Sequence, residues 1–143
     1  MWQVVSSTGP ASNPDCTLTS NFMGQPGMCV TDGAGYHGDN ERCTFRAVQD
    51  LYARATYFDT DAQAFITIGG QRYSGTGNTG PANAHMTAGS TMTWSSGTNL
   101  QRRGGFTICA TTNALLFPPP PPPSPSPPSA QSHPHHLPAG PIY

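Results

Sequence analysis

Residues 64–75 read AFITIGGQRYSG. Two short runs, Phe65-Ile66-Thr67-Ile68 and Gln71-Arg72-Tyr73, flank Gly69-Gly70. Glycine takes the left-handed backbone conformation that a two-residue hairpin turn demands, so the stretch predicts a tight β-hairpin. Upstream, Leu51, Ala53, Ala55 and Tyr57 alternate with Tyr52, Arg54, Thr56 and Phe58. That period of two predicts a strand with one set on each face of a half-buried sheet. Further strands are expected at STMTW (90–94) and GFTICATT (105–112), with Trp2 to Val5 as an edge strand. Roughly eight short strands broken by turn residues describe an all-β, two-layer antiparallel β-sandwich.

Composition points the same way. A chain of 143 residues with 35% hydrophobic content is enough for one domain. Glycine and proline number 16 each, which favours turns over helices. Charged residues make up only 9%, lysine is absent and the net charge is −1. No basic surface is available to neutralise phosphates, so nucleic acid is excluded as an expected partner. The longest apolar run, Ala114 to Phe117, is too short to cross a bilayer, and Met1 to Ser7 lacks the basic start and apolar stretch of a secretory signal. If the protein is exported, this reads as a mature or trimmed chain.

The cysteines at 16, 29, 43 and 109 are an even set without a CxxC pair. This argues against a zinc ribbon or a thioredoxin-type site and for two disulfides in an oxidising compartment. Residues 29–43, CVTDGAGYHGDNERC, enclose three glycines and cannot form a helix. Three pairings of four cysteines remain open at this point.

From Pro118 the chain reads PPPPPPSPSPPSAQSHPHHLPAGPIY, setting a boundary at Phe117. Prolines fix φ near −65° and carry no N–H, so this run belongs in neither helix nor sheet interior and predicts a polyproline II rod. The eleven residues from Pro118 to Pro128 would extend roughly 34 Å. The expected organisation is an N-terminal extension or edge strand over 1–14, a β-domain over 15–117 and the proline-rich tail over 118–143.

The order of features resembles a CUB domain: Cys16, CVTDGAGYHGDNERCTF, a strand ending TYFDT, FITIGGQRYSG, TGP, GSTMTWSSG and RRGGFTIC. The resemblance spans about residues 15 to 110, although the family's SPxYP motif is here TDGAGYHG. It implies a CUB-like jelly roll and bridges Cys16–Cys43 and Cys29–Cys109, with Cys16–Cys29 plus Cys43–Cys109 as the rival. Many members bind calcium through two aspartates whose positions fall here on Ala64 and Gly97. Neither can ligate a hard cation. Asp59 and Asp61, nearby, are read as solvated acids at a strand end, and no metal or cofactor is expected.

No catalytic constellation emerges. His37 and His85 are the domain's only histidines and no GxSxG stretch occurs. His37, in a glycine-rich loop, is read as a surface residue, and Arg102-Arg103 as a solvated turn. His133, His135 and His136 form at best a weak metal site because prolines interrupt them.

The tail is similar to the hydroxyproline-rich segments of algal and plant extracellular-matrix proteins. That resemblance implies hydroxylation or O-glycosylation at Pro118, Pro119, Pro120, Pro121, Pro122, Pro123, Ser124, Pro125, Ser126, Pro127 and Pro128. There is no N-x-[ST] sequon, so attached sugars would be O-linked. The expected protein is a non-enzymatic extracellular structural subunit, a homo-oligomer or a binder of other matrix proteins. Tyr36, Tyr52, Tyr57 and Tyr73 are the candidates to line a groove for a polyproline rod, whose preset shape loses little entropy on docking. Two alternatives stand beside it. One is a monomeric recognition module for a glycan or protein with the tail as spacer, and the other an accessory fragment of a larger secreted enzyme.

Overall fold

A computed structural model describes residues 1–8, 16–21, 23–33, 35–98 and 103–112. The proline-rich tail, and with it every expected modification site, lies outside the described residues, as do Arg102 and the tail histidines. Ten strands occur in chain order: β1 (Trp2–Thr8), β2 (Thr17–Thr19), β3 (Cys29–Thr31), β4 (Arg42–Ala47), β5 (Leu51–Asp59), β6 (Phe65–Ile68), β7 (Gln71–Tyr73), β8 (Ala84–Met86), β9 (Thr91–Ser95) and β10 (Gly105–Thr111). A single 3₁₀ turn, Gly77–Thr79, is the only helical element among the described residues.

The strands form two five-stranded sheets, ordered β1-β4-β9-β6-β7 and β2-β3-β10-β5-β8, and every pairing is antiparallel. Alternation drives this arrangement. Cys43, Phe45 and Ala47 of β4, Ile66 and Ile68 of β6, and Met92 and Trp94 of β9 turn inward, while their neighbours face out or are half-buried. From the other sheet, Val30, Leu51, Ala53, Phe58, Phe106 and Ile108 complete one core. Phe106 meets Phe45 edge-on at 6.2 Å and Trp94 at 5.0 Å, locking the two layers together as a sandwich. The hairpin at Gly69-Gly70 has φ of 55° and 82°, the signature of a primed turn.

One sequence expectation changes. The alternation through β5 breaks, because Thr107 pairs with Tyr57 while Ile108 pairs with Ala55, leaving Thr56 as a bulge. After this extra residue the faces exchange, so Phe58 is buried and Tyr57, placed with Leu51 by simple alternation, is 49% exposed. At the N-terminus β1 is an edge strand, as expected from Trp2 to Val5, but it reaches Thr8 and places Trp2 in the core.

The bridges are Cys16–Cys43 and Cys29–Cys109, the pairing the CUB resemblance implies, and the rival pairing is not formed. Cys29 and Cys109 are register partners on adjacent strands of one sheet. Cys16, preceding β2, reaches across to β4 of the other sheet. One bridge therefore staples within a layer and the other between layers.

Candidate functional site

Three loop regions converge at one end of the sandwich: residues 32–33 and 35–41 after β3, 60–64 after β5, and 96–98 with 103–104 between β9 and β10. Backbone hydrogen bonds tie the first to the third, with Asn40 N–H donating to the Gly97 carbonyl at 2.7 Å, His37 N–H to the Arg103 carbonyl at 3.1 Å and Ser96 N–H to the Glu41 carbonyl at 3.0 Å, and Gly97 packs against Gln63 of the second. Asn40 holds φ at 60°, a conformation that asparagine tolerates better than most residues.

Beneath the loops lie two buried acids. Glu41, the chain's single glutamate, is 1% exposed, and its carboxylate accepts from Gly38 N–H at 2.6 Å and from the Trp94 indole at 3.4 Å. Its own N–H donates to Ser96 Oγ at 2.8 Å. Asp32, 3% exposed, follows β3 and accepts Phe106 N–H at 2.9 Å through Oδ1, while Oδ2 has no partner. Burial pushes the Asp32 carboxyl up to about 7, opposed by the hydrogen bonds from the Phe106 and Asp32 N–H groups and the Thr31 hydroxyl and reinforced by the charge of Glu41. Gly105, at φ 78°, packs so closely on this carboxylate that a Cβ there would overlap it. His37 is buried as well and meets Trp94 edge-on at 5.5 Å, so the surface placement expected from its glycine-rich loop is wrong. The loop folds back over the sandwich end and covers the ring.

Asp59 and Asp61 are likewise not simply solvated. Asp61 is buried, and its Oδ1 accepts Gln63 and Ala64 N–H, each at 2.8 Å, in a turn that launches β6. Asp59 accepts Gly104 N–H at 3.0 Å and pairs with Arg103 at 3.4 Å, tying the start of β10 to the end of β5. Arg103 is thus an ion-pair partner rather than a solvated turn residue. Ala64 is fully buried and Gly97 packs against Gln63, and among the described residues no three His, Cys, Asp or Glu side chains gather as a metal site.

Beside this end is an open cleft of about 370 Å³, lined by Tyr36, Tyr57, Gly33, Gly35, Gly104, Thr31, Phe106 and Thr107. The Tyr57 ring lies directly over Gly104, where no side chain would fit beneath it. The structure brings Tyr36 and Tyr57 together here and separates the other two candidates. Tyr52 stacks on His85 at 5.0 Å on the β5–β8 pair, and Tyr73 packs against the core from the edge of the opposite sheet. No aromatic groove unites all four. Sequence reasoning missed Asp32, Glu41 and Ser96; a lone glutamate two residues before a bridged cysteine was the available signal.

Comparison with protein-family models, curated proteins and solved structures gives no match. No helix among the described residues is long and apolar enough to cross a membrane.

Proposed function

We propose that the protein is a non-enzymatic extracellular structural subunit with a CUB-like sandwich, one that self-associates through its β-domain and its polyproline tail. The family reading is supported by the motif order, by two antiparallel sheets and by the cysteine pairing. Two disulfides fit an oxidising compartment. The observation that carries the assembly reading is the Tyr36–Tyr57 cleft with its glycine lining, at the end of the sandwich where β10 begins. A proline rod offers flat pyrrolidine faces to tyrosine rings, and a surface without side chains admits it closely. β10 carries the chain from this cleft to the opposite end, where the described residues stop at Thr112. Tail-into-cleft docking between copies is then head-to-tail and open-ended, a geometry that builds filaments rather than closed dimers.

Sedimentation of the full chain over a range of concentrations tests this. The expected result is linear oligomers that vanish on removal of residues 118–143 and weaken with Tyr57→Ala. A monomer at all concentrations overturns the reading. The same cleft also suits a sugar ring, which supports the alternative of a monomeric glycan-recognition module; ligand affinity indifferent to tail removal would favour it.

A further inference from the structure

The fold sorts the chain's charges unevenly. A net charge of −1 spread over the whole surface would leave no basic region. Yet the strands of the first sheet, β1, β4, β9, β6 and β7, contain three arginines, Arg42, Arg46 and Arg72, and no aspartate or glutamate. Cys43, Phe45 and Ala47 of β4 turn into the core, so Arg42 and Arg46 stand on the outer face, where both are exposed. Arg72 is the register partner of Thr67, which faces outward between the buried Ile66 and Ile68. The nearest acids do not offset these cations on the face itself. Glu41 and Asp61 are buried and accept backbone N–H groups, while Asp39 and Asp50 lie in the loops before and after β4.

Between the arginines runs a ladder of hydroxyls. Ser6, Thr44, Thr93, Thr67 and Arg72 are successive register partners across all five strands. Three strand spacings put Arg72 about 14 Å from β4, and Arg42 and Arg46 stand about 13 Å apart along β4. Arg72 is already held in place. Its guanidinium lies 3.6 Å from the centroid of the Phe65 ring and donates to the Ala62 carbonyl at 3.0 Å. A cation fixed in this way loses little entropy when it meets a ligand.

We propose that this outer face binds an acidic polysaccharide, with uronate carboxylates on the three guanidinium groups and sugar hydroxyls on the Ser/Thr ladder. Charge complementarity selects an anionic partner. The planar guanidinium fork matches a carboxylate bidentately, and each Ser or Thr hydroxyl can both donate and accept. Duplex nucleic acid carries a charge about every 1.7 Å of its axis, far denser than three cations spread over such a face. The tyrosine cleft is built from β3, β5 and β10 of the other sheet, so the inference is independent of the assembly reading.

The test measures binding of a fluorescent galacturonate oligomer to the full chain by anisotropy, with a neutral dextran oligomer and duplex DNA as comparison probes. The parent should bind galacturonate, less tightly as salt rises, and should not bind dextran. Arg42→Gln, Arg46→Gln and Arg72→Gln should each weaken binding about threefold, and the three together about 20- to 30-fold. Arg54→Gln removes the same charge from the other sheet and should leave binding unchanged. Thr93→Glu places an anion in the middle of the ladder and should weaken binding more than about tenfold, whereas Thr93→Gln should stay within about twofold. Thr93 is exposed, so neither variant disturbs the core. Absence of binding by the parent would overturn the proposal, as would an equal loss with Arg54→Gln or DNA binding as tight as that of galacturonate. So would a loss confined to Tyr57→Ala, since the glycan would then occupy the tyrosine cleft.

Discussion

Replacing Asp32 with asparagine should make the protein more stable above neutral pH and remove a pH dependence that the parent shows below it. In the folded protein the Asp32 carboxyl is pushed up to about 7, first by burial and further by Glu41, from an ordinary value of 3.8. The folded state therefore holds a proton between about pH 4 and 7 that the unfolded chain has released. Stability then falls as pH rises through this window. At 1.36 kcal/mol per unit, the full difference is about 4 kcal/mol, complete only above pH 7 and absent below pH 4. Asparagine keeps the oxygen that accepts Phe106 N–H and places an amide where the unpartnered Oδ2 lies. Urea denaturation of parent and Asp32→Asn at half-unit steps from pH 4 to 8.5 measures the difference directly, since contributions common to both cancel. The variant should match the parent near pH 4 and exceed it by 2–4 kcal/mol at pH 8, where about 4 is the ceiling set by the shift. A difference that stays flat across the series, or a variant less stable at pH 8, would refute the view that this carboxylate is held charged at a cost.

Three further outcomes follow from the same end of the sandwich and from the bridges. Gly105→Ala forces a side chain into a left-handed conformation and against the Asp32 carboxylate, and should cost about 3 kcal/mol by thermal or chemical denaturation. Combining it with Asp32→Ala should recover part of that loss, and strict additivity would contradict the contact. Ser96→Ala removes the acceptor of Glu41 N–H and should cost about 1–3 kcal/mol; a change below about 0.5 would mean that the hydroxyl is dispensable. Removing the Cys29–Cys109 bridge opens an 80-residue loop and should cost about 4.5 kcal/mol, against about 3.5 for the 27-residue Cys16–Cys43 bridge, so Cys29→Ser/Cys109→Ser should melt lower than Cys16→Ser/Cys43→Ser.

The sandwich was readable wherever side chains alternate without interruption. Phe65 to Tyr73 and Thr91 to Trp94 show the period of two, and the Gly69-Gly70 turn marks its own hairpin. β2, β3 and β8 are three residues each, too short for a period to register, which is why ten strands stand where about eight were expected. The bulge at Thr56 is decided by β10 across the sheet and not by local residues, so the face carrying Tyr57 was invisible. The candidate site was still less legible. Asp32, His37 and Asp61 are polar residues in turn-rich segments that ordinarily meet water, and only the folding of three loops over one another buries them. Of the four tyrosines, two fall in the cleft because Tyr36 sits on the covering loop and the bulge turns Tyr57 outward.

The interleaved order of the two bridges limits how far the protein can be stretched. Tension applied between residues 1 and 143 passes from Cys16 to Cys29 and then directly to Cys109, so of the 93 residues separating the first and last cysteines only 13 bear load. Those 13 extend to roughly 45 Å, where an unbridged segment would pay out about 320 Å. Strands β4 to β9, with most of the core, hang off this short path as a closed loop that carries no force.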